Sequence, residues 1–156
     1  MPERIKYAGV APQTYQAMRA LQDYVRSTGL EPGLLELVKL RASYINSCAY
    51  CVDMHSKDAR AAGETEQRLY AIPVWHETPF FTERERAALE WTESVTMISD
   101  GGVSDELYAR AAEQFSEREL VELTMAVIAI NGWNRLLVTF GADVGSYQPP
   151  RAGETP

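Results

Sequence analysis

Helix-start signals recur along this chain, and they constrain its fold more than any other feature of the sequence. Two capping boxes, Thr82–Glu85 and Ser116–Glu119, each place a hydroxyl side chain at an N-cap and a glutamate three residues later. Pro12 and Pro32 suit the first turn of two earlier helices, because a residue there needs no N–H donor. Only the short stretch Val138–Phe140 favours a strand by composition, and it lies within a helical pattern. The sequence therefore predicts an all-α protein.

These signals predict a compact bundle of about six to seven helices. The helices are expected to begin near Pro12, Pro32, Ser47, Thr65, Thr82, Ser104 and Ser116. Ser47 is the predicted N-cap of the third helix, which should run to Gly63. A chain of 156 residues is long enough for one buried core. We therefore expect a single helical domain over residues 1–142, and a loosely ordered tail rich in proline and glycine over residues 143–156.

The last predicted helix is apolar almost all round between Leu120 and Val138. Such a helix lies at the centre of a domain or at a subunit interface. Because a small helical domain is seldom thick enough to bury it on every side, we expect a homo-oligomer. Glu122, Asn131 and Asn134 make the same segment too polar for a membrane span.

The charge of the chain disfavours several classes of partner. There are 22 acidic and 15 basic residues, and the net charge is −7, which argues against binding to nucleic acid or to an anionic membrane. The first seven residues contain no apolar stretch typical of a secretory signal, so we expect a cytoplasmic protein. In that reducing compartment a close cysteine pair is more often catalytic or metal-binding than a permanent crosslink.

Both cysteines of the chain and one of its two histidines lie between Cys48 and His55. On an ideal helix Cys48, Cys51 and His55 lie at relative angles of about 0°, 300° and 340°, so they share one narrow stripe. Two thiols one turn apart can form a disulfide, and an imidazole four residues after the second thiol can take its proton. The pattern predicts a redox-active dithiol with its own base.

Other interpretations of this pattern remain open. In one of them Cys48 and Cys51 are small buried apolar residues, and His55 lies on the helix surface. A zinc site would need a fourth ligand, and the other histidine, His76, lies in a distant predicted loop. We therefore expect no metal, and no cofactor either, because the sequence has no phosphate-binding loop or dinucleotide fingerprint.

The residues alone leave the choice of nucleophile between Cys48 and Cys51 open. The positive end of the helix favours Cys48 as the more N-terminal thiol, whereas the nearby base favours Cys51. We favour Cys51, since His55 could both deprotonate it and return a proton to the leaving group. Glu36 lies opposite the main apolar face of its predicted helix, so by itself it indicates a solvated carboxylate.

The order Glu36, Cys48, Cys51 and His55 resembles the active-site motif of the alkylhydroperoxidase D-like branch of the carboxymuconolactone decarboxylase family. The residues from Leu37 to His55, and those from Ile130 to Arg135, also resemble this branch. The likeness extends from about Tyr7 to Phe140. It implies an all-α bundle whose subunits assemble as trimers or hexamers.

The resemblance also implies a role for each residue of the motif. Cys51 would attack a peroxide and become a sulfenic acid, and Cys48 would resolve it as a disulfide with release of water. His55 would draw the proton from Cys51, with Glu36 orienting the imidazole, which requires Glu36 to turn towards the site. The best-studied type of this family has a second histidine between the cysteines, where this chain has Tyr50.

The resemblance thus favours a thiol-dependent peroxidase acting on organic hydroperoxides. A dithiol would serve as reductant, and the family suggests one borne on a lipoyl protein. One alternative is a cofactor-free decarboxylase of a lactone acid, although such members typically lack the cysteine pair. Another is a non-catalytic redox sensor whose disulfide alters assembly. The aromatic residues Trp75, Phe80 and Phe81 are expected to be structural. The segment Trp133–Arg135 could line the cleft or tie subunits together, and we favour a structural role.

Overall fold

The computed structural model describes residues 3–150. Within that range the chain forms eight α-helices, two short 3-10 helices and no β-strand. The α-helices are α1 (Tyr7–Val10), α2 (Pro12–Ser27), α3 (Pro32–Ile45), α4 (Ala49–Ala61), α5 (Glu66–Ala71), α6 (Glu83–Thr96), α7 (Asp105–Gln114) and α8 (Glu117–Phe140). The 3-10 helices are Ile72–Glu77 and Ile98–Asp100. The predicted all-α class is confirmed, and the one-turn helix α1 is the α-helix that the sequence did not predict.

Local sequence accounts for most of the helix starts. The side chains of Thr82 and Ser116 each accept a hydrogen bond from the backbone three residues on, and the glutamate there bonds back to the N-cap backbone. Both predicted capping boxes are therefore confirmed. Ser104 caps α7 in the same way, accepting a bond from the backbone N–H of Leu107. A cap of this kind stabilises a helix by about 1 kcal/mol.

The start of α4 differs from the prediction. Cys48, not Ser47, is the N-cap residue, and Ser47 has a left-handed backbone with φ of 54°. The reason is the way α3 ends: the N–H of Cys48 bonds to the carbonyl of Ser43, and that of Ser47 bonds to the carbonyl of Tyr44. This pair of bonds is a Schellman motif, which needs a left-handed residue at the position of Ser47. Cys48 is consequently outside the helix, and Cys51 lies in its first turn.

Helices α3 and α8 form the centre of the bundle, and α3 packs against α4, α6 and α8. One part of the core surrounds Val38, Leu123 and Val127, all of which are fully buried. A second part contains Leu37 and Leu40 of α3 together with Ile72, Trp75, Phe81 and Leu89. The predicted structural role of Trp75 and Phe81 is confirmed by their burial.

Helix α8 is long and apolar enough to cross a membrane by length and composition alone. In this structure it packs against α2, α3, α6 and α7, and its Glu122, Asn131 and Asn134 side chains are buried within the bundle. Val121 and Ile128 of the same helix are exposed. An exposed apolar edge on a central helix agrees with the expected subunit contact, and the homo-oligomer stays a prediction.

The chain beyond α8 contains no helix in its described part, which ends at residue 150. The ammonium group of Lys57 on α4 donates hydrogen bonds to the backbone carbonyls of Gly145 and Tyr147, at 3.1 and 3.0 Å. These bonds attach this part of the tail to α4. Residues 151–156 of the predicted loose tail lie outside the described residues, and the domain boundary at residue 142 stays a prediction.

Candidate active site

The two cysteines form a disulfide between the N-cap position and the first turn of α4. Their Cα atoms are 5.4 Å apart, and both side chains are buried. Around them pack Ala42, Ile130 and Leu137, so α3 and α8 supply the apolar side of the site. The burial of the pair agrees with the apolar-core interpretation as far as packing goes. The position in the first turn of a helix is the one that stabilises a thiolate once the disulfide is reduced.

His55 lies one helical turn beyond Cys51 and is buried, with 7% of its side chain exposed. Its Nδ1 is 2.9 Å from Oε2 of Glu36, which lies on α3. The other carboxylate oxygen, Oε1, accepts a hydrogen bond of 2.6 Å from Nζ of Lys39. The interpretation of Glu36 by itself as a solvated carboxylate is therefore wrong: α4 packs over the side of α3 that carries Glu36 and leaves 16% of its side chain exposed.

The Glu36 carboxylate is ionised in this setting. Burial on its own raises the pKa of Glu36, but the hydrogen bond and charge of His55 and the charge of Lys39 outweigh it and lower that pKa to about 2. An ionised carboxylate can only accept, so Nδ1 of His55 is the donor. Nε2 is then the basic nitrogen of the imidazole, as proton transfer from a thiol requires.

A cavity of about 230 Å³ adjoins these residues, between α2, α3, α4, α8 and the tail. Of the two cysteines, Cys51 is the one that lines it, together with His55 and Glu36. One part of the remaining wall is aromatic or apolar and consists of Tyr7, Tyr15, Tyr50, Met54, Trp133, Leu137 and Tyr147. The other part is polar or charged and consists of Arg19, Gln22, Arg26, Lys39 and Asp58. Trp133 and Tyr15 pack edge to face with their ring centroids 5.8 Å apart. The cavity offers a small organic molecule access to one sulfur and one base.

Tyr147 of the tail contributes to the same cavity, although the sequence predicted a loose end there. Its hydroxyl donates a hydrogen bond of 2.7 Å to Oδ1 of Asp58, and both side chains line the cavity. Burial and the bond to Asp58 raise the pKa of Tyr147 above its usual value. Nothing in the local sequence of the tail predicts this contact, because Asp58 is 89 residues away.

Glu36, His55 and Asp58 bring one potential ligand atom each to within 4.8 Å of one another. Among the described residues, these three are the group that could hold a metal ion at the cavity. Each member already has a protein partner: Glu36 and His55 bond each other, Lys39 bonds Glu36, and Tyr147 bonds Asp58. A cation would have to displace or compete with these contacts. Neither cysteine belongs to the set, so the zinc interpretation of the dithiol has no support from it.

All three asparagines of the chain join one polar network behind the disulfide. The Asn46 side-chain amide donates to Oδ1 of Asn131 at 3.0 Å and to Oδ1 of Asn134 at 2.9 Å. Asn134 in turn donates to the hydroxyl of Ser43 at 3.1 Å. Because Asn46 and Ser43 end α3, the network ties to α8 the turn that leads into Cys48. The predicted structural role of the segment around Asn134 agrees with these contacts.

Comparison with known proteins agrees with this fold. The sequence model of the carboxymuconolactone decarboxylase family matches residues 12–94, more than half of the chain. The uncharacterized protein YdfG of Bacillus subtilis (strain 168) is 40% identical over 141 residues, which are 90% of this chain and 96% of YdfG. The chain belongs to the carboxymuconolactone decarboxylase family, in its alkylhydroperoxidase D-like branch.

Two solved structures share this fold. A protein of unknown function from Agrobacterium tumefaciens, for which an AhpD-type role in antioxidant defence has been suggested, superposes with a TM-score of 0.87 and 44% identity. The match covers 96% of this chain and all of that one. An uncharacterized peroxidase-related protein from Ralstonia eutropha with an alkylhydroperoxidase AhpD core has a TM-score of 0.79 and 21% identity, over 89% of this chain and 74% of its own. The second match shows the fold alone.

Membership of this family indicates an enzyme of the peroxidase-related or decarboxylase-like kind. The cytoplasmic location remains an expectation. The roles of Cys48, Cys51, His55 and Glu36 in the reaction stay predictions.

Proposed function

We propose that the protein is a thiol-dependent peroxidase that reduces organic hydroperoxides through its Cys48–Cys51 dithiol. The observation that supports this most directly is the shared cavity: Cys51 and His55 line it from one helix, and Glu36 holds the imidazole in place from another. A nucleophile, a base and an orienting carboxylate are the parts that activated-thiol chemistry needs.

In the proposed cycle, Nε2 of His55 takes the proton of the Cys51 thiol. The thiolate attacks the terminal oxygen of the hydroperoxide, so the S–O bond forms as the O–O bond breaks. The protonated imidazole returns its proton to the leaving alkoxide, which departs as an alcohol. Cys51 is then a sulfenic acid, and the thiol of Cys48 displaces its oxygen as water to form the disulfide.

A dithiol reductant closes the proposed cycle. It attacks the disulfide, passes through a mixed disulfide and leaves as a cyclic disulfide with both cysteines reduced. Family resemblance favours a lipoyl-bearing protein as this partner. The disulfide and the hydrogen-bonded imidazole are both in place in the oxidised form described by this structure.

The direct test is turnover of cumene hydroperoxide by the purified protein, with dihydrolipoamide as reductant. We expect steady consumption in the wild type and loss of at least about 99% of it in Cys51→Ser, because the nucleophile is gone. In the absence of the reductant, reduced Cys48→Ser should complete one turnover and accumulate a sulfenic acid that dimedone traps at Cys51. Ser56→Ala, on the same helix but outside the cavity, serves as the matched control.

Turnover retained in Cys51→Ser would contradict the proposal. So would a wild-type protein whose oligomeric state changes on oxidation while hydroperoxide consumption stays at background, since that result identifies a redox sensor. Activity on a lactone acid that persists after alkylation by iodoacetamide would identify a decarboxylase instead.

A further inference from the structure

The wall of the cavity includes a residue with a buried polar group that lacks a hydrogen-bond partner in residues 3–150. Gln22 of α2 is 9% exposed and lines the cavity, and its Nε2 is buried without a hydrogen-bond partner among the described residues. Buried donors in native proteins are almost always satisfied, and an orphaned one is destabilising. An unused donor on a cavity wall therefore indicates a hydrogen-bond acceptor on the molecule that the cavity takes.

The charges beside Gln22 indicate what kind of acceptor this is. Arg19 and Arg26 lie about one turn before and after Gln22 on the same face of α2, and both line the cavity. They share one nearby carboxylate, Asp23, at 3.9 and 3.8 Å, and that carboxylate is 59% exposed. Two guanidinium groups that share one solvated counter-charge leave this side of the cavity positive.

The other charged groups on the cavity wall offset this positive side only in part. Lys39 and Glu36 pair with each other, and Asp58 accepts a hydrogen bond from the neutral Tyr147 hydroxyl but keeps its negative charge. The three cations and two carboxylates on the wall leave an excess of one positive charge. The chain as a whole has a net charge of −7, so the positive side is a local property of α2. An anionic group with two acceptor oxygens is the complement to a neutral donor flanked by two guanidinium groups.

The rest of the wall indicates the body of the ligand. Tyr15, Trp133, Met54 and Leu137 provide aromatic and apolar surface. A cavity of about 230 Å³ is smaller than the usual site for a drug-sized ligand, so it suits a compact molecule with one ring or a short branched chain. Cys51 lines the same cavity and is available to a peroxide group on that molecule.

We propose that the site selects compact organic hydroperoxides that carry a carboxylate, which Gln22 binds with the help of Arg19 and Arg26. The inference rests on the proposed peroxidase function for the reactive end of the substrate. Gln22 is a specificity-determining residue in this scheme, and the proton and electron transfers are those already given for Cys51, His55 and Cys48.

The test compares cumene hydroperoxide with its para-carboxylate, 4-(2-hydroperoxypropan-2-yl)benzoate. In the wild type we expect kcat/KM for the carboxylate to exceed that for the neutral compound by about tenfold, the change that one charge-assisted hydrogen bond provides. In Gln22→Leu, which keeps the volume but removes the donor, this ratio should fall by about tenfold. Gln16→Leu, an exposed glutamine on the same helix, is the matched control and should leave the ratio unchanged.

A second measurement separates this inference from the peroxidase proposal. 4-Isopropylbenzoate has the same body and carboxylate but no peroxide, and its binding is measured by calorimetry on the wild type and on Gln22→Leu. Binding that weakens about tenfold in the variant, in a protein without peroxidase turnover, would support the ligand class and reject the peroxidase. A wild-type ratio at or below one, or a ratio and a binding constant that Gln22→Leu leaves unchanged, would overturn the inference.

Discussion

The carboxylate of Glu36 accepts a hydrogen bond of 2.9 Å from Nδ1 of His55, and this contact joins α3 to α4 at the cavity that Cys51 lines. The ammonium group of Lys39 lies 2.6 Å from the other carboxylate oxygen of Glu36. Each oxygen of Glu36 therefore has its own partner, His55 on α4 or Lys39 on α3. The arrangement fixes the ring of His55 and directs its free nitrogen away from α3. The hydrogen bond between Glu36 and His55 thus connects two helices and also orients the imidazole that we propose as the base.

The pKa of Glu36 predicts how stability depends on pH. Because folding lowers that pKa from about 4.5 to about 2, the carboxylate stabilises the native state fully above pH 4.5 and loses this contribution as the pH falls towards 2. Wild type should exceed Glu36→Gln by about 3 kcal/mol in free energy of unfolding at pH 7. The difference should shrink to near zero at pH 2, as measured by urea denaturation between these limits. A pH-independent difference would contradict the assignment, and Glu113→Gln, a surface change, is the control.

Removal of His55 should slow the reaction of the Cys51 thiol. In a Cys48→Ser background, where Cys51 is the single cysteine, we expect His55→Ala to reduce the alkylation rate at pH 7 roughly tenfold, because the thiol has lost its nearby base. The rate is followed with iodoacetamide. His76→Ala is the matched control, since His76 is half exposed and packs on Trp75 outside the cavity. Equal rates in the two histidine variants would show that His55 does not activate the thiol.

The tail should detach from α4 when its two side-chain anchors are lost. Tyr147→Phe removes the hydrogen bond to Asp58, and Lys57→Met removes the bonds to the carbonyls of Gly145 and Tyr147. Together they should raise amide hydrogen exchange in residues 143–150 at least about tenfold, because local opening then costs fewer contacts. Tyr70→Phe, which loses a hydroxyl bond to Glu66 on an exposed surface, is the control for Tyr147→Phe. Unchanged exchange in the double variant would show that other contacts hold the tail.

Loss of one member of the asparagine network should lower the free energy of unfolding. Asn134→Ala leaves the Asn46 amide and the Ser43 hydroxyl without this shared partner inside the bundle, and we expect a loss of about 2 kcal/mol. Urea denaturation measures the loss, with Gln13→Ala, a change at an exposed residue of α2, as the control. A loss below about 0.5 kcal/mol would mean that water replaces the amide.

Local sequence accounts well for the helices and less well for the junction between α3 and α4. Capping boxes at Thr82 and Ser116 depend on residues three positions apart, so they could be predicted and are present. Ser47 has the same chemistry as those caps, yet it is the left-handed residue of the motif that ends α3. The end of α3 and the start of α4 share these residues, so Ser47 could either end the first helix or cap the second. The residue types alone do not decide between these two roles.

The grouping of Cys51 with His55 could also be predicted, because both belong to one helix and lie one turn apart. The position of Glu36 could not be predicted from a helical wheel, since a wheel treats a polar side as solvated and has no information on α4. Lys39, three residues after Glu36, was a local signal for a paired carboxylate. Gln22 and Tyr147 had no such signal, because their places at the cavity depend on how α2 and the tail pack.

The amino-acid sequence by itself determined the helical class, most helix limits and the thiol–imidazole spacing, because each of these depends on interactions within a few residues. Tertiary structure alone decided that Glu36 meets His55, that Gln22 lines the cavity with a buried donor that has no partner among the described residues, and that Tyr147 reaches Asp58 across 89 residues. The physical reason is burial: packing removes water from these polar groups, and each must then find its partner in another segment of the chain or in a ligand.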